Sequence, residues 1–167
     1  RRKEIQNNYQ MNLNNITFID IETVPMLEDL PDNLIGELFL KRNEKELTQA
    51  GIGNDMMGGS GYREFWKEKA GLSAEFGKIV CVSIGKMHQA KDQPMKFFIK
   101  SLAGKDESTI LTKLSEALQN SIILCAHNGK EFDFPFLFRR YVINKLPVPA
   151  ILQVAGKKPW DIPHLDT

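Results

Sequence analysis

Residues 14–25 read "NNITFIDIETVP", a run whose aliphatic and aromatic residues are typical of a buried β-strand. Two acidic residues, Asp20 and Glu22, lie among them. Because side chains alternate across a strand, both carboxylates leave on one face, the face that Ile16 and Phe18 occupy earlier in the strand. This face therefore changes from apolar to acidic. The pattern predicts either a functional pair of carboxylates or an edge strand whose acidic residues face water.

The composition predicts one globular domain. The chain has 167 residues, of which 42% are apolar, and a formal net charge of +1. A chain of this length can fill one hydrophobic core. The near-zero net charge gives no general affinity for polyanions, so a nucleic-acid partner must be held by a local basic patch or by metal ions.

The sequence shows no feature of a secreted or membrane protein. Cys81 and Cys125 lie in apolar, strand-like runs without a CxxC pair, which predicts buried free thiols in a reducing compartment. No apolar stretch approaches about 18 residues, and the basic N-terminus continues into a polar run at residues 4–10. We therefore expect a soluble, cytoplasmic protein with no membrane partner, and the oligomeric state is left open.

The order of predicted elements indicates a mixed sheet. Two strand-like runs, "KIVCVSIGKM" at 78–87 and "MKFFIK" at 95–100, predict a hairpin. A helix capped by Asp106, a strand at 121–127 and a helix starting around Pro135 follow. Three strands that can pair antiparallel, followed by right-handed crossovers, predict a mixed α/β sheet covered by helices.

The segment between the first two predicted strands is less regular. We expect one domain over residues 1–167, with a flexible N-terminal segment at 1–13 and an inserted helical and loop region at 36–66. The run "GIGNDMMGGSG" at 51–61 predicts a mobile loop, because it has five glycines and no long aliphatic run. The alternative, a phosphate loop, requires a GK[ST] ending that this run does not have. The aromatic run from Tyr62 predicts either a short helix packed on the domain or a platform for stacking bases.

A third acidic residue follows the strand near the C-terminus. In "LCAHNGKEFDFPFLFRR", residues 124–140, Asp133 falls at a helix entrance, where the dipole and free N–H groups favour its ionised form. A helix cap is the alternative role for it. If the first and fourth strands are neighbours, their ends bring Asp20, Glu22 and Asp133 together, and the carboxylates repel unless a cation neutralises them. Hard oxygen ligands of this kind suit Mg²⁺ or Mn²⁺.

Polar and basic residues surround this position. Asn128 lies in the turn after the strand, where a polar side chain can reach a ligand. The cations of the turn and the following helix predict either contacts to a phosphate backbone or a solvated helix face. These cations are Lys130, Arg139, Arg140 and Lys145.

The runs "FIDIETVP" and "HNGKEFDFPFL" resemble the first and second motifs of the DnaQ-like, or DEDD, superfamily of 3′-to-5′ exonucleases. From about Ile16 to the C-terminus the chain is similar to predicted bacterial exonucleases that resemble the proofreading domain of family B DNA polymerases. The resemblance implies a ribonuclease H-like fold. It also implies that Asp20, Glu22 and Asp133 are the catalytic ligands of two Mg²⁺ or Mn²⁺ ions. In addition, Glu22 would contact the terminal 3′-hydroxyl, and Asn128 would contact the substrate.

The chain departs from that family at its C-terminus. The family completes its site with a third motif, Tyr-x-x-x-Asp or His-x-x-x-x-Asp, on a later helix. Residues 159–167, "PWDIPHLDT", do not have this spacing. Asp166 is therefore either a substitute ligand or a structural residue. The departure predicts a truncated catalytic domain that is weak or inactive as a nuclease.

The leading hypothesis is a two-metal phosphodiesterase that removes nucleotides from the 3′ end of single-stranded DNA. One ion would generate hydroxide from water, and the other would stabilise the departing 3′ oxyanion. Two alternatives share the fold. One is a non-catalytic nucleic-acid-binding module, and the other is an oligoribonuclease that acts on short RNA.

Overall fold

A five-stranded sheet organises the chain in the computed structural model, which describes residues 12–52 and 59–167. Most of the predicted N-terminal segment, residues 1–11, lies outside the described residues. The centre of the glycine-rich run, residues 53–58, lies outside them as well, so its predicted mobility stays a prediction.

The sheet has the mixed topology that the sequence predicts. The strands are β1 (Ile16–Pro25), β2 (Gly77–His88), β3 (Lys96–Ala103), β4 (Ile123–Ala126) and β5 (Leu165–Asp166). Their spatial order is β3-β2-β1-β4-β5. The pairs β1–β2 and β2–β3 are antiparallel, whereas β1–β4 and β4–β5 are parallel. The first and fourth strands are therefore neighbours, which is the condition that the predicted acidic site required.

Five α-helices connect or cover the strands in the described parts of the chain. They are α1 (Leu34–Arg42), α2 (Glu44–Gln49), α3 (Ser60–Lys69), α4 (Glu107–Leu118) and α5 (Asp133–Ile143). The predicted cap of α4 is confirmed, because the Asp106 carboxylate accepts a hydrogen bond from the Thr109 N–H at 3.0 Å. Helix α5 begins at Asp133, two residues before the predicted start at Pro135.

The main core lies between one face of the sheet and helices α4 and α5. Ile19 and Ile21 of β1 are buried there with Leu114 of α4 and Leu137 of α5. Burial of a side chain of this size contributes roughly 1.5–3 kcal/mol. Because the core takes the odd-numbered residues of β1, the even-numbered residues lie on the opposite face of the sheet.

The inserted region forms a second, smaller core. Phe39 of α1 packs edge-to-face on Trp66 of α3 and on Phe76, with ring centroids 4.8 and 5.3 Å apart. Trp66 is fully buried, and its indole N–H donates a hydrogen bond to the Leu27 carbonyl at 3.0 Å. Phe65 is buried as well. The packed helix is therefore confirmed, and Phe65 and Trp66 do not form a platform for bases.

Both cysteines are free thiols, as predicted. Cys125 is buried, but Cys81 is only half-buried, because it pairs with Glu22 on the face of the sheet that α4 and α5 leave open. In the ranges 12–52 and 59–167, none of the helices is long and apolar enough to cross a membrane.

Candidate active site

Strand β1 presents its two acidic residues on the open face of the sheet. Ile19 and Ile21 are buried, while Asp20 and Glu22 are exposed, so the predicted alternation is confirmed. Glu22 is the last residue in the regular register with β2, because the pairing shifts between Glu22 and Thr23. A β-bulge of this kind re-aims the side chains beside it.

Asp133 reaches this part of the sheet because β4 is short. Strand β4 pairs only with residues 16–18 of β1. Beyond residue 18, the N–H groups on the β4 side of β1 therefore need another acceptor. The first residue of α5 supplies it: Asp133 Oδ1 accepts a hydrogen bond from the Ile21 N–H at 3.2 Å. The side chain of Asp133 thus binds the backbone next to Asp20, and Asp133 is only 4% exposed.

The environment of Asp133 opposes its ionisation. Burial, followed by the negative charge of Asp20, raises the pKa of Asp133 to about 6. The hydrogen bond from Ile21 offsets part of this shift. The backbone N–H at the helix entrance favours the ionised form as expected, but burial and the charge of Asp20 have the larger effect, so the pKa of Asp133 is raised overall. The alternative role as a cap does not hold, since Phe132 occupies the N-cap position.

The turn between β4 and α5 has a tightly constrained backbone. Asn128 has a φ of 51°, a left-handed conformation that Asn tolerates better than most residues. Gly129 leaves no room for a side chain, because a Cβ there would lie 2.4 Å from the Ala126 Cβ. Asn128 is exposed, and its contact to substrate stays a prediction.

Asp166 holds this turn from the neighbouring strand β5. Its Oδ1 accepts a hydrogen bond from the Gly129 N–H at 3.0 Å, and its Oδ2 accepts one from the Lys130 N–H at 3.3 Å. Both carboxylate oxygens therefore bind backbone donors. Of the two roles that the sequence left open for Asp166, the structural one has the support of these bonds.

The predicted basic helix face is wrong in one residue. Arg140 is 4% exposed, and its guanidinium forms a two-pronged ion pair with the buried Glu107 carboxylate of α4. It points inward because it lies on the face of α5 that packs on the core. Arg139 and Lys145 are exposed and Lys130 is half-buried, while Arg139 also lies 3.9 Å from the Glu75 carboxylate, so the contacts of these three residues to phosphate stay a prediction.

A comparison with protein families identifies the superfamily of this fold. A family model described as the RNase H superfamily matches residues 67–166. The chain belongs to the RNase H superfamily. Its proteins generally hydrolyse phosphodiester bonds, so membership indicates a nuclease-like or nucleic-acid-binding function. The matched segment includes Asp133 but starts after β1, and it therefore omits Asp20 and Glu22. A search of curated proteins found no match.

RNase H-superfamily nucleases usually use divalent metal ions, and the acidic residues fit such an ion in part. Within the described ranges, no group of three or more His, Cys, Asp or Glu side chains could hold a metal. Asp20, Glu22 and Asp133 thus do not form a three-ligand group in the part of the chain that the structure describes. Asp20 and Asp133 are close enough for one charge to raise the other's pKa. Mg²⁺ is commonly held by one or two carboxylates together with water and substrate phosphates, which suits this pair.

One feature of this RNase H-superfamily site was not predicted. A hollow of about 410 Å³ lies beside Asp20 on the open face of the sheet, lined in part by Phe18, Gly85, Phe97 and His127. Gly85 makes room for the ring of Phe97 in the wall of the hollow, because a Cβ there would lie 2.7 Å from that ring. A glycine inside a strand pattern is a signal of such close approach.

Proposed function

We propose that this chain is a DnaQ-like 3′-to-5′ exonuclease domain that hydrolyses the terminal phosphodiester bond of single-stranded DNA. The observation that carries the proposal is the coupled pair of carboxylates on β1 and α5. Asp133 is buried against the backbone next to Asp20, and the charge of Asp20 contributes to its raised pKa. Two carboxylates that repel each other form a site whose negative charge a bound divalent cation would neutralise.

The residues of the pair would hold Mg²⁺ or Mn²⁺ at the end of the sheet. When bound, a pair of such ions supplies a hydroxide nucleophile and stabilises the leaving 3′ oxygen. Asp133 is fixed by its hydrogen bond to Ile21, so it offers one ligand in a defined position. Asp20 and Glu22 are exposed on the open face of the sheet, where both can approach the 3′ end of a nucleic-acid strand. We assign the contact with the terminal 3′-hydroxyl to Glu22 and a further substrate contact to Asn128.

The motifs around these residues support the exonuclease over other RNase H-superfamily activities. The pair "DIE" on the first strand and the Asp of "HNGKEFD" at the start of α5 have the order found in the DnaQ-like family. The second candidate function is a non-catalytic nucleic-acid-binding module. It is favoured by the lack of a three-ligand group among the residues that the structure describes.

A strand-shortening assay tests the proposal. Single-stranded DNA and RNA of one sequence, labelled at the 5′ end, are incubated with the chain and with Mn²⁺, Mg²⁺ or a chelator. We expect slow, metal-dependent shortening of DNA from the 3′ end that falls at least about 100-fold in Asp20→Asn and Asp133→Asn. The control is Asp32→Asn, which changes an exposed acidic residue outside the site.

The other outcomes separate the alternatives. Faster shortening of RNA than of DNA would favour an oligoribonuclease. Binding of the strand without any shortening would favour the non-catalytic module. Shortening that persists in chelator, or that both substitutions leave unchanged, would refute the assignment of Asp20 and Asp133.

A further inference from the structure

The turn between β4 and α5 is tied to β5 by two hydrogen bonds. Asp166 accepts both of them, from the N–H groups of Gly129 and Lys130. Beside them, the Thr167 N–H donates a hydrogen bond to the carbonyl of Ala126, the last residue of β4, at 3.2 Å. Successive backbone N–H groups form a concavity that binds anions. In this protein the carboxylate of Asp166 fills that concavity.

The same turn is joined rigidly to the first residues of α5. The Gly129 carbonyl accepts a hydrogen bond from the Phe134 N–H at 2.8 Å, and the Asn128 carbonyl accepts one from the Phe132 N–H at 3.0 Å. Asp133 lies between these two anchored residues. A shift of the turn must therefore move the backbone of Asp133 with it.

Sterics leave the turn little freedom to adjust by itself. A Cβ on Gly129 would lie 3.0 Å from the ring of Phe134 and closer still to Ala126, so the backbone packs directly on its neighbours. Asn128 is held at positive φ. Such a conformation persists only when the surrounding contacts determine it. The bonds that Asp166 accepts from the next two residues, Gly129 and Lys130, are contacts of this kind.

We propose that Asp166 is a positioning residue for the carboxylate pair. By holding the N–H groups of Gly129 and Lys130, it fixes the turn and, through α5, the place of the Asp133 carboxylate beside β1. The inference rests on the proposed function, in which Asp133 is a metal ligand. It gives Asp166 a role that does not require it to touch the ion, and it explains why an acidic residue ends a two-residue strand.

The inference predicts a specific pattern of change in Asp166→Ala. Groups that orient metal ligands from outside typically change metal affinity 10- to 100-fold when they are removed. Mn²⁺ affinity, followed by electron paramagnetic resonance, should therefore fall by about tenfold or more. Asp166→Asn keeps one acceptor oxygen for Gly129 but turns an amide donor toward the Lys130 N–H. Its Mn²⁺ affinity should lie between those of the wild type and Asp166→Ala.

A second measurement needs no metal. The Ile21 N–H reports on Asp133, because it donates to the Asp133 carboxylate. Hydrogen exchange by NMR should show the amides of Gly129, Lys130 and Ile21 exchanging about tenfold faster in Asp166→Ala, relative to the Ile84 amide of β2. Simple loss of stability would not select the Ile21 amide.

Two control variants separate positioning from general loosening. Asp161→Ala removes an exposed acidic residue of the same segment and should behave as the wild type. Leu114→Ala destabilises the core by a cavity without touching the turn, and it should leave the Ile21 to Ile84 exchange ratio unchanged. If Asp166→Ala does not fold, Asp166→Asn takes its place in both measurements.

The Mn²⁺-affinity and hydrogen-exchange measurements each can support or refute the role of Asp166. Faster exchange at Gly129 and Lys130 with unchanged exchange at Ile21 and unchanged Mn²⁺ affinity would overturn the inference. If the wild type binds no Mn²⁺, the proposed metal site fails. The Ile21 amide then decides alone whether Asp166 positions Asp133, since faster exchange supports that role and unchanged exchange refutes it.

Discussion

Replacing Asp133 with Asn should make the metal-free protein more stable at neutral pH. Asp133 is buried next to the charge of Asp20, and both factors raise its pKa. An Asn side chain has nearly the same shape, and its amide oxygen can accept the hydrogen bond from Ile21 that the carboxylate accepts now. The substitution therefore removes an unfavourable charge and keeps the hydrogen bond from Ile21. A stability gain from the loss of a site residue is characteristic of functional positions.

The size of the gain follows from the pKa. The shift from 3.8 to about 6 disfavours the ionised form in the folded protein. At 1.36 kcal/mol per unit, about two units correspond to roughly 3 kcal/mol as an upper limit. Water near the exposed side of the sheet screens part of the repulsion, so we expect about 1–2 kcal/mol.

The sign of the pH dependence is fixed by the direction of the shift. Below pH 3.8 the group is protonated in both the folded and the unfolded protein, so the wild type and Asp133→Asn should differ little. As the pH rises from 3.8 to about 6, the wild type loses stability relative to the variant. Above about 6 the difference is constant.

Urea unfolding in chelator at several pH values, monitored by tryptophan fluorescence, measures this difference. Asp32→Asn, which removes an exposed carboxylate, is the matched control and should show no gain. A variant that is less stable than the wild type at pH 7.5, or a gain that does not depend on pH, would refute the reasoning about buried like charges.

Two further predictions concern buried polar groups. Arg140→Ala should lower the free energy of unfolding by about 3–5 kcal/mol, because it leaves the buried Glu107 carboxylate without its partner. Urea unfolding measures this change, and Arg139→Ala, at an exposed position, is the control. An equal effect of the two substitutions would contradict it. His164 is buried, and this burial lowers its pKa. Its Nδ1 accepts a hydrogen bond from the Leu124 N–H. Its neutral form stabilises the fold above about pH 6.5, and this contribution should be lost as the pH falls through the lowered pKa. Thermal melts from pH 8 to 5 should therefore show a steeper acid loss for the wild type than for His164→Gln, and parallel curves would exclude the effect.

Sequence patterns over a few residues correctly predicted the features that depend on neighbouring residues in the chain. The strand predicted within residues 14–25, the acidic face of β1 and the cap at Asp106 follow from alternation and capping rules, and all three are present, with the strand beginning at Ile16. The mixed pairing of the sheet followed from the sequence of elements and the handedness of crossovers, whereas the pairing of β1 with β4 entered only as a condition of the acidic site. The placement of Asp20 near Asp133 then depended only on strand neighbours.

The remaining errors concern residues whose burial and partners are determined by tertiary packing. Arg139 and Arg140 are adjacent basic residues in the sequence, but consecutive residues of a helix point about 100° apart. Only Arg140 faces the core, where Glu107 meets it from a helix 33 positions earlier. The pKa of Asp133 depends on burial that no short pattern contains. The role of Asp166 likewise depends on β5 lying beside β4, which a two-residue strand hardly indicates.

The order of the strands also determines when the acidic pair can form during folding. Strand β1 lies between β2 and β4, and its pairing of Ile16 with Ile123 joins residues more than a hundred positions apart. Closing so large a loop costs entropy before the contact contributes, which makes such pairings slow. During synthesis β1 leaves the ribosome early and waits for β4 and α5. The Asp20 and Asp133 carboxylates therefore come together only after β4 and α5 have joined β1, and a divalent ion held by this pair, as we propose, would bind only to the folded protein.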